Sequence, residues 1–246
     1  MSVFADLARW LETQSWPWYL FGGQAALVHG GTRVTADVDV TVVLDPSEFD
    51  RLEATIPAAF ARRADRAFTE QTLVVPLMHL PSAVPVDLVL GATAFEAEIA
   101  SRARRARVGG SWTPLIAAED LLVLKLLAGR PHDLFDAAEV RAANPNLDEG
   151  AVRARVAAFA AALDDPDLER RAAELFGHTN GRAARREGRG STRTPQPTST
   201  TKSTPAGVRP KAAAKPKAAA KPKPAAKPEP KPGAKPRPLA KPKPGD

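Results

Sequence analysis

Apolar residues recur along residues 1–181 with two different periods. Spacings of three and four residues predict helices, and short alternating or continuous apolar runs predict strands. The predicted strands occupy residues 18–21, 38–44, 72–80, 84–90 and 104–108. The predicted helices occupy residues 4–13, 24–29, 46–56, 93–102, 117–128, 132–142, 148–163 and 167–177. Strands dominate the first part and helices the second, which predicts an α+β fold, a mixed sheet with flanking helices followed by a C-terminal helical bundle.

The periodic pattern ends before the last quarter of the chain. Residues 191–246 hold 14 of the 24 prolines, many of them in Lys-Pro-Ala repeats, with almost no large apolar side chains. Such a segment cannot bury enough apolar surface to offset the loss of chain entropy. We therefore predict three regions: an α/β core at 1–110, a helical subdomain at 111–181, and a basic, disordered Lys/Pro/Ala-rich tail at 182–246.

Charge is divided unevenly between these regions. Residues 1–181 carry 17 Lys/Arg against 25 Asp/Glu, whereas residues 191–246 carry 14 Lys/Arg against two acidic residues. Only the tail therefore favours a polyanionic partner such as RNA or DNA, and a solvated solubility tail explains the same composition. No basic patch is evident in residues 1–181.

Several classes of protein are excluded by residue content. The chain has no cysteine and therefore no disulfide or thiolate zinc site, and its four histidines form no metal-binding pair. The N-terminus does not resemble a signal peptide, and no apolar stretch is long enough to span a membrane. We expect a cytoplasmic protein with no membrane partner.

The chemistry is predicted to centre on residues 21–44, FGGQAALVHGGTRVTADVDVTVVL. Gly22 and Gly23 follow a strand, where backbone N–H groups can approach a phosphate with no Cβ in the way. Asp37 and Asp39 open the next strand and, at alternate positions, are expected to share one face. Two carboxylates about 4 Å apart repel by roughly 4 kcal/mol at an effective dielectric of 20, so a cation between them is favoured.

Asp87 is the predicted third carboxylate. It is the lone charge in the apolar strand PVDLVLG, and such a placement costs free energy unless the charge is paired or bound to a metal. Mg²⁺ takes carboxylate, water and phosphate oxygens. Asp37, Asp39 and Asp87 are therefore predicted to be metal ligands and catalytic residues.

The motifs GG…RxTxDVDV, VDLVL and EDLLVLKLLAGRPHDLFDAAEV resemble the nucleotidyltransferase superfamily of DNA polymerase beta, over residues 15–145. Within it, the likeness is to small bacterial members related to the AbiEii-type toxins of type IV toxin–antitoxin systems. The resemblance implies transfer of NMP from an NTP with Mg²⁺ or Mn²⁺ held by the three aspartates. It also implies nucleotide binding by Gly22, Gly23, Arg33, Lys125 and Asp133, in which Lys125 contacts the nucleotide phosphates and Asp133 orients either Lys125 or the nucleotide. Many members have serine where this chain has Gly23.

The acceptor is left open by the sequence. The resemblance suggests RNA, with tRNA foremost, and a cognate antitoxin as partner, and the basic tail would concentrate RNA or DNA. The acidic residues 1–181 favour instead a small-molecule or protein hydroxyl. A third interpretation is a weakly catalytic NTP-binding or nucleic-acid-associated scaffold.

Overall fold

The structure, a computed structural model, describes residues 2–177, and the predicted tail lies outside them. At its centre is one sheet of seven strands: β1 (Trp18–Phe21), β2 (Val38–Val43), β3 (Phe60–Arg62), β4 (Val74–His79), β5 (Val84–Gly91), β6 (Arg104–Val108) and β7 (Ser111–Leu115). Their order across the sheet is β3-β4-β5-β2-β1-β7-β6. The pairs β2–β5 and β1–β7 are parallel and the other four are antiparallel.

Helices flank this sheet and follow it. They are α1 (Val3–Leu11), α2 (Gly22–Val28), α3 (Phe49–Thr55, after a 3₁₀ turn at Pro46–Glu48), α4 (Arg66–Thr72), α5 (Ala94–Arg102), α6 (Ala118–Ala128), α7 (Pro131–Ala143), α8 (Glu149–Leu163) and α9 (Asp167–Phe176). The last four pack on one another, α6 against α7, α8 and α9. The predicted α+β class, with a mixed sheet and a helical C-terminal part, is confirmed.

The two central strands explain how the fold positions charged residues. In β2, Val38, Val40 and Val42 are at most 1% exposed, because alternate residues of a strand share one face and this face packs in the core. Asp39 lies between two of these valines, and the parallel register sets it directly opposite Asp87 on β5. The hydrophobic core therefore fixes the relative position of the two carboxylates.

Three elements differ from the predictions. β3 and α4 lie where no regular structure was predicted, and β3 is only three residues long, too short to show a period. β7 was also missed, because Pro114 interrupts its apolar pattern. It pairs with both β1 and β6, so the sheet continues past residue 110 to Leu115.

The described helices give one further result. None of those within residues 2–177 combines the length and the apolar composition that crossing a bilayer requires.

Candidate active site

A glycine at the end of β1 makes room for one of the predicted aspartates. Gly22 begins α2 with φ +66°, and a Cβ added to it would lie 2.6 Å from the Asp39 Cγ atom. Phe21 is paired with Asp39 across β1 and β2, which explains the close approach. Any other residue at position 22 would displace the carboxylate and strain the backbone. The prediction that the helix starts only at residue 24 was wrong, because both glycines belong to its first turn.

Gly23 is constrained by the segment that leads into β2. A Cβ added there would lie 2.7 Å from Thr35 Cγ2, and the hydroxyl of Thr35 donates a hydrogen bond to a carboxylate oxygen of Asp37. The Gln24 side chain donates to the backbone carbonyl oxygens of Thr35 and Asp37, at 3.3 and 3.4 Å. The first turn of α2 therefore holds both ends of a short segment that carries Asp37.

Two of the three predicted carboxylates, those of Asp39 and Asp87, occupy paired positions of the central strands, and Asp37 lies two residues before Asp39 in the chain. Asp39 and Asp87 face each other on parallel strands, which lie about 4.8 Å apart. Asp37 comes one residue before β2, so the expectation that it and Asp39 share a strand face was wrong in detail. Arg63 contributes a positive charge, with Nη1 3.9 Å from Asp87 Oδ1.

The donor chemistry of these carboxylates suits a hard cation. Within residues 2–177, no group of three or more His, Asp or Glu side chains forms a ready-made metal site. Mg²⁺ is commonly held by one or two carboxylates together with waters and substrate phosphates. The adjacent carboxylates of Asp39 and Asp87, with that of Asp39 packed against Gly22, fit such an ion.

A second group of charges lies between α6 and α7. Gly129, at φ +62°, ends α6 and Pro131 begins α7, so the chain reverses and the two helices face each other. Lys125 Nζ donates to Asp133 Oδ1 at 3.0 Å and to Asp136 Oδ2 at 2.7 Å. All three side chains are buried. The structure therefore shows the implied contact between Asp133 and Lys125, with the Lys125 ammonium engaged by carboxylates.

Asp136 joins this group to the rest of the site. Its two carboxylate oxygens accept hydrogen bonds from Arg33 Nε and Nη2, at 2.8 and 2.7 Å. Burial alone would raise the pKa of Asp136, but the hydrogen bonds from Arg33 and Lys125 hold it below its ordinary value. Sequence reasoning placed Asp136 in the motif without assigning it a role. Its spacing of three residues from Asp133 puts both on one face of α7, and this spacing was the feature of the sequence that could have indicated a role for Asp136.

The edge of the sheet carries a basic surface that was not predicted. β6 is the end strand, and its Arg104, Arg105 and Arg107 are exposed. Trp112, opposite Arg107 on β7, is 57% exposed. Glu12 accepts a hydrogen bond from Arg105 at 2.6 Å and offsets part of the charge. The inference that residues 1–181 have no basic patch was therefore wrong: the three arginines are close together in the sequence, and the pairing of β6 with β7 brings Trp112 beside Arg107.

No protein-family model and no curated protein matches the chain. Several solved structures are similar to it. An antigenic nucleotidyltransferase-like protein from Paracoccidioides brasiliensis covers 71% of this chain and 94% of its own, at 18% identity and a TM-score of 0.44. The antibiotic-resistance factor ANT(2'')-Ia covers 65% of this chain and 92% of its own, at 17% identity and a TM-score of 0.47. JHP933 from Helicobacter pylori covers 70% of this chain and 87% of its own, at 17% identity and a TM-score of 0.35. At these scores and identities the likenesses assign neither an activity nor a substrate to the chain.

Proposed function

We propose that this protein is a metal-dependent nucleotidyltransferase that moves NMP from an NTP to an acceptor hydroxyl. The observation that carries the proposal is the arrangement of Gly22 against Asp39, with Asp87 directly opposite on the neighbouring strand. Because Gly22 has no side chain, the Asp39 carboxylate can lie against the start of α2 and beside Asp87, and two metal-binding groups are adjacent. The resemblance of the sequence motifs to nucleotidyltransferases leads to the same reaction.

In this proposal Asp39 and Asp87 would hold Mg²⁺ or Mn²⁺. Asp37 would be the third carboxylate of the metal site. When bound, the metal would neutralise phosphate charge and lower the pKa of the acceptor hydroxyl. Asp87 would accept a hydrogen bond from that hydroxyl, orient it toward the α-phosphorus and take up its proton as the oxygen attacks. A new O–Pα bond forms, the bond from Pα to the bridging oxygen breaks, and pyrophosphate leaves.

In this proposal the nucleotide is held by groups other than the three aspartates. The backbone N–H groups of Gly22 and Gly23 and the guanidinium of Arg33 would contact the β- and γ-phosphates. Positioning and charge neutralisation then supply most of the rate enhancement, as in other phosphoryl-transfer enzymes.

For the acceptor we favour a nucleic acid, and the basic surface on β6 and β7 supports this choice. Exposed arginines contact phosphates, and an exposed tryptophan can stack on an unpaired base. Charged side chains on an end strand also discourage edge-to-edge pairing, but that role does not require Trp112. RNA, with tRNA foremost, is the acceptor we propose, and a toxin-like role with a cognate antitoxin is part of the same hypothesis.

A labelling experiment tests the proposal. The full-length protein is incubated with each α-³²P-labelled NTP, Mg²⁺ and a cell extract separated into RNA, protein and small-molecule fractions. We expect label in RNA, and none with Asp39→Asn. Label in the protein or small-molecule fraction would identify a different acceptor class. NTP binding by calorimetry without any transfer would favour the scaffold interpretation, and absence of binding would contradict the proposal.

A further inference from the structure

Five charged side chains form one hydrogen-bonded set between α6, α7 and the segment before β2: Lys125, Asp133, Asp136, Arg33 and Arg130, which donates to Asp133. Lys125, Asp133 and Asp136 are 5%, 2% and 1% exposed, so two anions and one cation are buried together. Buried charge is tolerated only when it is paired. Arg33 supplies a second cation through its two hydrogen bonds to Asp136, and its own side chain remains 35% exposed.

The segment that carries Arg33 is docked along one face of α7. Glu139, three residues after Asp136, accepts hydrogen bonds from the backbone N–H and the hydroxyl of Thr32, at 2.8 and 2.5 Å. Four residues further on, Ala143 lies so close to Gly30 that a Cβ added to Gly30 would overlap the Cβ of Ala143. Spacings of three and four residues place these contacts on one helix face. The path of the chain into Asp37 is therefore set by α7.

We propose, on the basis of the function proposed above, that Asp136 is a positioning residue that aims Arg33 at the nucleotide's phosphates, while Lys125 serves as the buried counter-ion of Asp133 and Asp136. Of the two basic residues for which the resemblance implies nucleotide binding, only Arg33 then contacts phosphate. Burial and double pairing of the Lys125 ammonium support this division of roles.

The geometry of the guanidinium suits this task. The Asp136 carboxylate takes the edge formed by Nε and Nη2, and a guanidinium has a second donor edge through Nη1 that can bind phosphate oxygens. Arg33 lies four residues before Asp37, whose negative charge is among those that raise the pKa of Arg33, although the hydrogen bonds to Asp136 are the largest cause. Two residues after Arg33, Thr35 packs against Gly23 and donates a hydrogen bond to Asp37, so the segment that carries the fixed cation leads to the predicted metal ligands, where a metal-bound triphosphate would need it.

A double-mutant cycle tests the proposal. The probes are Mg²⁺ with the non-hydrolysable analogue of each NTP that has a methylene group between Pα and Pβ, and the matching NMP, measured by calorimetry. Asp136→Asn and Arg33→Ala should each weaken binding of the triphosphate analogue by roughly tenfold or more, while NMP binding changes little. In the Arg33→Ala background, Asp136→Asn should add almost nothing. Equal losses in both backgrounds would show that Asp136 acts through the fold and would overturn the proposal.

Two further variants keep the test decisive if Asp136→Asn folds poorly. Arg33→Lys keeps the charge but not the two-point contact and should lose part of the triphosphate affinity. Lys125→Met should lower the melting temperature, since it leaves two buried carboxylates, without changing the ratio of triphosphate to monophosphate affinity. If Lys125→Met selectively lost triphosphate binding while Arg33→Ala bound the triphosphate analogue as tightly as the wild type, Lys125 would be the phosphate ligand. Glu174→Gln removes an exposed carboxylate that accepts a hydrogen bond from Arg170 on α9 at 2.7 Å; it is the matched control outside this set and should leave the ratio unchanged.

Failure of this inference is distinguishable from failure of the proposed function. If the wild-type protein does not bind the Mg²⁺ complexes, or Asp39→Asn still transfers nucleotide, the proposed function is wrong. If binding and the Asp39 dependence hold while Arg33 and Asp136 have no effect, only the positioning role is wrong.

Discussion

The substitution Gly22→Ala tests the link between a backbone position and the acidic site. A Cβ at position 22 would lie 2.6 Å from Asp39 Cγ, whereas carbon atoms pack at about 3.5–4.0 Å. The Asp39 carboxylate would therefore have to move by about 1 Å. A displacement of that size costs on the order of 100-fold in rate when it affects a reacting group.

The same substitution has a second, smaller effect on stability. Gly22 has φ +66°, and an L-residue in the left-handed region costs about 1–2 kcal/mol. For a chain of this size the melting temperature should fall by roughly 2–8 °C. Activity should therefore fall far more than the loss of folded protein explains.

The assay compares kcat/KM for pyrophosphate release, with the labelled acceptor fraction present, against melting by circular dichroism. The matched control is Gly177→Ala, since Gly177 also has positive φ, +80°, but among residues 2–177 an added Cβ would meet no atom within 4 Å. The control should lose stability and keep full activity. Equal activity in both variants would refute the proposed steric role of Gly22.

Three further predictions concern the carboxylates and the basic surface. Asp39→Ala should abolish NMP transfer while the melting temperature stays the same or rises, because a like charge is removed, and surviving transfer would disprove the site assignment. The pKa of Asp136 is lowered in the folded protein, so its pair with Arg33 and Lys125 stabilises the fold above pH ~3.9 and this stability is lost as the pH falls lower. Acid melting curves should show that loss, and Asp136→Asn should reduce its pH dependence, whereas an unchanged acid transition would contradict the pairing. Arg107→Glu and Trp112→Ala should weaken RNA binding, the former also flattening the salt dependence by about 0.7 or more in log–log slope, while the exposed control Arg170→Glu should not.

The sequence was sufficient to predict the elements that carry the chemistry. The runs around Asp39 and Asp87 are strongly apolar and bounded by clear breaks, so a lone carboxylate in each stood out as unusual. The predicted strands at these positions match β2 and β5 within one or two residues. Local pattern is informative here because alternate residues share one face, which packs in the core and leaves few alternatives.

What the sequence could not supply was long-range pairing. Asp39 faces Asp87 only because β2 pairs with β5 in one particular register, and no local rule fixes that register. The contact of Arg33 with Asp136 spans 103 residues. The basic surface likewise depends on β7 as the partner of β6, and β7 was missed because Pro114 disrupts its period. Tertiary packing determined each of these features.

The central claim is that Asp39 and Asp87 form a metal-dependent site for nucleotidyl transfer. The most direct measurement is α-³²P-NMP incorporation into acceptor by the full-length protein, titrated with Mg²⁺, for wild type, Asp39→Asn and Asp87→Asn. We predict incorporation that requires Mg²⁺ in the wild type and falls to background in both variants, with folding retained by circular dichroism. Incorporation that is independent of Mg²⁺, or that survives in either variant, would contradict the account.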